Sequence, residues 1–302
     1  MREIVVRSWN ELNDCLFESS WREPLGRFRS PYVYRGVSRA EYELLTGLAR
    51  LGGDPDFLEE HILRAFRRYA HHPDIHASSI WNWLALAQHH GLPTRLLDWT
   101  YSPFVAAHFA TCRLEHHDRD GAIWCIDFDR INEALPARLR EELDQRGGFV
   151  FSADMLDESA PALAQFDALS DDTFMLFFEP PSIDERIVNQ YALFSLLSNP
   201  AISLSRWLDE HPDVVHRIIL PSDFKLEVRD KLDQANITER VLHPGLDGLS
   251  AWLRRYYTPS RTIRRSAGRL SSRVDEGAGE ADTEVQREGD DAKYLAVDTP
   301  TT

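Results

Sequence analysis

Short runs of β-branched and aromatic residues alternate with helical apolar patterns along most of the chain. Strand-like runs occur at 2–7, 31–37, 121–128, 173–180 and 216–220, and their Val, Ile, Phe and Tyr residues favour a pleated, half-buried surface. Each intervening helix must bury its apolar face against a neighbouring layer. This alternation predicts a mixed α/β (α+β) fold with a central mixed sheet and flanking helices.

The helical patterns have recognisable ends. Ser8 and Glu11 resemble a capping box at the start of the first helix. Gly91 ends a later helix, and Pro103 stands in the first turn of the next. The spacing of apolar residues predicts helices at about 56–70, 79–90, 101–111, 223–236 and 247–257. Residues 92–98 are predicted to form a loop, and 186–196 a short helix or loop followed by a strand.

Composition limits the classes of function. The formal net charge of −15 argues against general nucleic-acid binding or membrane-surface binding, because phosphate-rich surfaces attract basic faces. The sequence has no apolar run of about 18 residues and no apolar signal core near its beginning. Its three cysteines read as ordinary thiols of a reducing compartment. We therefore expect a cytoplasmic protein without a membrane span.

The composition changes near residue 258. Large apolar residues nearly vanish beyond it, and Arg, Glu, Asp, Gly, Ser and Thr dominate. Such a segment buries too little surface to offset its ordering entropy. We predict one folded domain at 1–257, with a core at about 30–253, and a disordered polar tail at 258–302.

The triplet Tyr34-Arg35-Gly36 is the first candidate for a functional site. It places an arginine at the end of a predicted strand, directly before a glycine. A guanidinium there offers a planar fork to a phosphate or a carboxylate. The alternative interpretation is a structural arginine held in a salt bridge.

The run Gln88–Thr100 is dense in polar residues, although apolar helices flank it. It either serves a ligand or satisfies its own backbone groups. In the structural alternative, Asp98 caps the following helix and pairs with Arg95. The adjacent His89 and His90 point in different directions on a helix, and His71, His72 and His76 precede the helix on a separate loop. We predict no metal site from either group.

Gln190 is the third candidate. It stands in the stretch Asn189-Gln190-Tyr191, where a short helix is predicted to give way to a strand. Its amide has two possible uses, which the sequence leaves open. It either bonds backbone groups or reaches a ligand.

These residues resemble the motifs of the FRG-domain family, which is named for a Phe/Tyr-Arg-Gly triplet. Tyr34-Arg35-Gly36 matches that triplet, and Gln88–Thr100 resembles the family's second block. A third block, Arg-Ile-x-x-Gln-x-x-x-Phe, corresponds to Arg186–Phe194, and His243–Gly248 resembles a late Pro-x-Leu-Asp-Gly pattern. The resemblance covers about 30–253, and the family is largely uncharacterised.

A more distant resemblance links the chain to ADP-ribosyltransferases of the arginine type. Those enzymes carry an arginine at the end of their first strand, which Arg35 matches, and an Ala-x-x-Phe-Ala helix, which 106–110 matches. Their Ser-Thr-Ser strand is replaced here by Asp98-Trp99-Thr100. Gln190 stands where their late glutamate is expected, with Glu179 and Glu185 nearby in sequence. Asp98 is then the candidate for the missing negative charge.

The resemblance implies an NAD-directed enzyme with an ADP-ribosyltransferase-like sheet. It gives catalytic roles to Arg35, Asp98 and Gln190. It also implies that further side chains bind NAD as the substrate: Tyr34, Gly36, Gln88, His89, Thr94, Arg95 and Thr100. The implied partners are a small-molecule nucleotide and a macromolecular acceptor.

Two alternatives remain open. The chain could be a non-catalytic module that senses a ligand in a stress or phage-defence response, which the absent glutamate favours. Gln88–Asp98 could also be a buried hydrogen-bond network that only holds helices on the sheet. Removing one member of such a network costs about 1–3 kcal/mol.

Overall fold

The computed structural model describes residues 1–70, 79–182 and 184–259. The predicted histidine group His71, His72 and His76 lies outside these ranges, as does the predicted tail from residue 260 onward. Within them, the chain forms a central mixed sheet of eight strands with flanking helices. The predicted fold class is therefore confirmed. No helix in the described ranges combines the length and apolar character that crossing a membrane requires.

The strands of the described residues are β1 (Arg2–Val5), β2 (Trp21–Arg22), β3 (Arg27–Phe28), β4 (Tyr32–Val37), β5 (Leu97–Thr100), β6 (Gly121–Asp127), β7 (Phe151–Ser152), β8 (Met175–Glu179), β9 (Ala192–Leu197) and β10 (Val215–Leu220). The main sheet has the order β1-β10-β6-β4-β5-β9-β8-β7, and β2 pairs separately with β3. The β1–β10 and β7–β8 pairs are parallel, and the other pairs are antiparallel.

The helices are α1 (Trp9–Leu16), α2 (Gly47–Leu51), α3 (Pro55–Tyr69), α4 (Ile80–His89), α5 (Pro103–Thr111), α6 (Phe128–Glu133), α7 (Ala137–Arg146), α8 (Ala153–Ser159), α9 (Leu163–Asp167), α10 (Glu185–Gln190), α11 (Leu204–Glu210), α12 (Lys225–Gln234), α13 (Glu239–Leu242) and α14 (Leu246–Tyr256). Ser8 caps α1 by accepting a hydrogen bond from the Glu11 backbone N–H, as the sequence predicts.

The two faces of the sheet are packed differently. One face carries a single cluster of buried residues that includes Val33, Trp124 and Phe177. The opposite face carries two clusters. Tyr34 belongs to the one beneath α1, α5 and α12, and Phe194 belongs to the one beneath α4 and α8. Tyr34 lies on β4 and Phe194 on β9, so β5, which stands between these strands, marks the boundary between the two clusters.

Gly36 allows α5 to lie directly on β4. A Cβ added at Gly36 would be 1.8 Å from the carbonyl oxygen of Ala106 and 2.7 Å from the backbone nitrogen of Ala110. Only a residue without a side chain permits this approach. The Tyr-Arg-Gly triplet therefore has a packing role at its third position, in addition to the ligand contact predicted for it.

The stretch 92–98 differs from its prediction as a loop. Leu97 and Asp98 begin β5, because they pair with Ser195 and Phe194 of β9. Asp98 consequently does not cap α5. Ser102 does so by accepting a hydrogen bond from the Val105 backbone N–H.

Candidate functional site

The sheet splits between β4 and β5. Their register consists of one pair, Tyr34 opposite Thr100. On either side, β4 pairs with β6 through six residues and β5 pairs with β9 through four. The two strands therefore separate beyond Tyr34 and Thr100, which leaves an opening within the sheet where Arg35 and Asp98 lie.

Arg35 and Asp98 meet at this opening from opposite faces. The register places Arg35 opposite Trp124 and Asp98 opposite Phe194, whose side chains belong to clusters on different faces. Nevertheless, Arg35 Nη1 donates to the Asp98 carbonyl oxygen at 2.7 Å and lies 4.0 Å from Asp98 Oδ2. Their side chains are 13% and 20% exposed. The guanidinium thus reaches through the split to the aspartate.

A chain of hydrogen bonds fixes the Asp98 carboxylate. Gln88 Nε2 donates to Asp98 Oδ2 at 2.8 Å, and Thr94 Oγ1 donates to Gln88 Oε1 at 2.6 Å. The Leu96 backbone N–H donates in turn to Thr94 Oγ1 at 3.1 Å. Gly91, with φ of 78°, lets the chain reverse after α4 and return to β5. The amide of Gln88 is therefore held with its nitrogen toward Asp98.

A second guanidinium lies close to the aspartate. Arg186 of α10 is 8% exposed. Burial lowers the pKa of Arg186, whereas the negative charges of Asp98 and Asp184 act in the opposite direction. Asp98 thus interacts electrostatically with the guanidinium groups of both Arg35 and Arg186.

His89 connects α4 to the start of α10. Its Nε2 lies 2.6 Å from Asp184 Oδ2, and Asp184 Oδ1 accepts the Ile187 backbone N–H at 3.1 Å. Burial lowers the pKa of His89, and the Asp184 charge partly opposes that shift. A neutral imidazole satisfies this geometry when Nε2 carries the proton and donates it to the carboxylate. His89 therefore acts here as a brace between two helices.

Two hollows share Arg35 and Asp98. We call them the Arg35 hollow, with a cavity volume of about 50 Å³, and the Gln88 hollow, with one of about 230 Å³. The Arg35 hollow is lined by Tyr34, Arg35, Gly36, Val37, Asp98, Trp99, Thr100, Phe109, Cys112, Arg113, Gln190 and Ala192. The Gln88 hollow is lined by Arg35, Leu45, Gly47, Arg50, Leu51, Gln88, Gly91, Leu92, Pro93, Leu96, Leu97 and Asp98.

The charged side chains that line these hollows are mostly positive, whereas the chain as a whole is negative. Arg35, Arg50 and Arg113 line them together with one acidic residue, Asp98, in a chain whose formal net charge is −15. Arg113 also lies 3.6 Å from the exposed Glu115. Three guanidinium groups in partly enclosed hollows attract anions locally. The arrangement is suited to a phosphate or a carboxylate.

Three of the predicted ligand-binding side chains, those of Arg95, Tyr34 and His89, bond to residues outside the Gln88–Asp98 hydrogen-bond chain. Arg95 is 4% exposed; its Nε donates to Glu59 and its Nη1 to Asp167, both at 2.6 Å. It pairs with these residues instead of with Asp98, and it lines neither hollow. Tyr34 donates its hydroxyl to the Leu16 carbonyl oxygen at 2.9 Å, and burial raises its pKa. His89 is the third, through its contact with Asp184.

Gln190 lines the Arg35 hollow, but its amide also contacts α13. Gln190 Nε2 donates to the Leu242 carbonyl oxygen at 3.0 Å, and Thr100 Oγ1 donates to the Gln190 carbonyl oxygen at 2.7 Å. Gly248 of the Pro-x-Leu-Asp-Gly pattern serves helix packing in the same region. A Cβ on Gly248 would be 1.8 Å from the His243 carbonyl oxygen, so α13 and α14 approach closely there.

Arg186 and Arg113 are site residues that the sequence predictions omit. Arg186 is the first residue of the Arg-Ile-x-x-Gln block, so this motif could have indicated it. Arg113 follows α5 and belongs to no motif. Its contribution depends on how α5 lies against β4, which Gly36 sets.

One comparison with known proteins reaches part of this site. Residues 30–119 match the family model of the FRG domain. No curated protein and no solved structure matches the chain, and the resemblance to ADP-ribosyltransferases is not confirmed. The matched range contains Arg35, Gln88, Asp98 and Arg113. The residues that match this model therefore build most of the Arg35 hollow.

Proposed function

We propose that the Arg35 and Gln88 hollows form one binding site for a phosphate-bearing nucleotide, with NAD as the first candidate. The observation that carries the proposal is the meeting of Arg35 and Asp98 in the split of the sheet. Guanidinium groups bind phosphate through charge-assisted and often paired hydrogen bonds. Arg35 and Arg113 supply them in the Arg35 hollow, and Arg50 supplies one in the Gln88 hollow.

Asp98 gives this site a capacity for ADP-ribosyl transfer. When the bond between nicotinamide and ribose C1′ breaks, nicotinamide leaves with the bonding electron pair and positive charge develops on the ribose. A fixed carboxylate stabilises such a charge without reorganising, and Gln88 and Thr94 fix this one. An acceptor nucleophile then bonds to C1′ and releases its proton to water.

The replacement Asp98→Asn tests this chemistry. Asparagine keeps the shape and still accepts a hydrogen bond from Gln88, but it lacks the charge. We expect NAD to raise the Tm of both proteins, while the rate of nicotinamide release falls by about 100-fold or more in the variant.

Asp144→Asn on the exposed side of α7 is the matched control, and we expect it to release nicotinamide at the wild-type rate. The proposal is contradicted if millimolar NAD leaves the Tm unchanged and no nicotinamide appears with any acceptor supplied.

A second candidate function is a non-catalytic module that senses a nucleotide. Two observations favour it: the amide of Gln190 is engaged with the Leu242 carbonyl oxygen, and Arg35 and Arg186 both offset the charge of Asp98. Under this function the ligand raises the Tm and is recovered chemically unchanged. Chromatography of the bound ligand after a long incubation separates the two functions.

A further inference from the structure

Another hollow opens beside the Arg35 hollow. It has a cavity volume of about 850 Å³ and is open to solvent, and five of its thirteen lining residues are aromatic. Residues adjacent in sequence line different hollows: Thr100 and Gln190 face the Arg35 hollow, whereas Tyr101 and Tyr191 face this one. We call it the Tyr191 hollow. The segments 100–101 and 190–191 therefore contribute to both hollows.

Two aromatic rings and a carboxylate meet in the Tyr191 hollow. The ring centroids of Tyr101 and Tyr191 are 5.0 Å apart with an interplanar angle of 58°. The Tyr101 hydroxyl donates to Glu179 Oε1 at 2.9 Å. Aromatic faces attract cations through their quadrupole, and the carboxylate adds a full negative charge. This combination suits a guanidinium or an ammonium group.

The backbone at Tyr191 adopts an unusual conformation. Tyr191 has φ of 51° and ψ of 48°, which is the left-handed region. Its backbone N–H donates to the Val188 carbonyl oxygen at 3.0 Å, and its carbonyl oxygen accepts the Tyr101 backbone N–H at 3.1 Å. A bulky residue is strained in this region, and glycine is not. The tyrosine is nevertheless 62% exposed, so burial of its ring does not explain why it stands there.

The basic residues of the hollow come from a different part of the chain. Arg22 and Arg29 lie in or next to the β2–β3 hairpin, where Arg22 Nη2 pairs with Asp129 at 2.5 Å and Arg22 Nε donates to the Arg29 carbonyl oxygen. Glu179 is the last residue of β8, Tyr101 follows β5, and Tyr191 follows α10. The formal net charge of −15 for the whole chain also favours the approach of a cation.

We propose that Tyr101, Tyr191 and Glu179 bind a basic side chain of a protein partner, at a subsite adjoining the Arg35 hollow. The proposal deepens the proposed function by naming the class of acceptor, and it rests on that function for any transfer step. Binding of the basic group itself requires only the two rings and the carboxylate.

Two small probes test the subsite directly. N-acetylarginine methylamide carries the guanidinium, and N-acetylcitrulline methylamide is its neutral counterpart of nearly equal shape. In titrations followed by NMR at about 0.15 M salt, we expect the arginine probe to bind the wild-type protein at least about tenfold more tightly. Equal binding of the two probes, or no binding of either, overturns the proposal.

The replacements Tyr191→Gly and Glu179→Gln locate the binding. We expect each to weaken binding of the arginine probe by at least about fivefold. Tyr191→Gly should also keep the Tm at or above that of the wild type, because glycine adopts the left-handed backbone without strain. Unchanged affinity in both variants, or a clear fall in the Tm of Tyr191→Gly, contradicts the assignment, since the latter shows a packing role for the ring.

Tyr69→Ala on α3 and Glu210→Gln on α11 are matched controls, because both side chains are exposed. They should bind the arginine probe as the wild type does. A parallel titration of NAD into the wild type separates the two proposals. Failure of NAD alone contradicts the proposed function, whereas failure of the arginine probe alone contradicts this subsite.

Discussion

At the scale of single residues, Arg35 and Arg95 show how far local sequence predicts a site. The sequence predicts Arg35 from the Tyr-Arg-Gly triplet and Asp98 from the polar run 88–100. In the structure each lies within a strand, because β4 continues to Val37 and β5 begins at Leu97. The surroundings of Arg95 were not predictable in this way, because its partners Glu59 and Asp167 lie 36 and 72 positions away in sequence. No local sequence pattern predicts an ion pair between residues so far apart in the sequence.

The replacement Arg95→Ala tests the structural role of this arginine. It leaves Glu59 buried without its guanidinium partner, and breaking a buried pair in this way costs about 3–5 kcal/mol. We expect urea unfolding to show a loss of this size. Arg206→Ala, whose side chain is 75% exposed, should leave the urea midpoint almost unchanged. Full stability of Arg95→Ala together with lost NAD binding would instead assign Arg95 to the ligand.

At the scale of helices and strands, contacts between distant segments determine some structure that local residue propensity does not predict. The sequence predicted β4, α4 and α5, because their apolar spacing and end signals agree. It missed β5, since the four residues of this strand include Asp98 and follow a proline-containing turn. The strand exists because β9 pairs with it, which is a contact between segments about 95 positions apart.

The replacement Gly36→Ala tests the contact between β4 and α5. The added methyl group would overlap the Ala106 carbonyl oxygen, so α5 must move away from the sheet. We expect a loss of unfolding free energy on the order of 3 kcal/mol, measured in urea. Gly148→Ala is the control, because its Cβ would meet neighbouring atoms only at 3.6 Å or more. Equal stability of the two variants would contradict the described packing.

At the scale of the whole molecule, burial of uncharged imidazoles links stability to pH. Burial lowers the pKa of His117 to about 4 and that of His243 to about 3, and it also lowers the pKa of His108 and His216. Below pH 6.5 the unfolded chain therefore binds protons that the folded chain does not. The unfolding free energy should fall as the pH falls below about 6.5, by up to about 1.4 kcal/mol per pH unit for each such histidine.

Urea unfolding between about pH 7 and pH 5 measures this dependence. The replacement His243→Gln removes one titrating group and should make the slope less steep. A stability that does not change over this range, or a variant with the wild-type slope, would contradict the account of the buried histidines.

The central claim is that the split between β4 and β5 presents Arg35 to a nucleotide phosphate. A crystal structure of the protein with bound ADP-ribose tests it most directly, because this molecule keeps the phosphates and cannot release nicotinamide. The account predicts a phosphate oxygen about 2.7–3.2 Å from the Arg35 guanidinium, with the ligand in the Arg35 hollow. Density for the ligand elsewhere, with both hollows that share Arg35 and Asp98 empty, would contradict it.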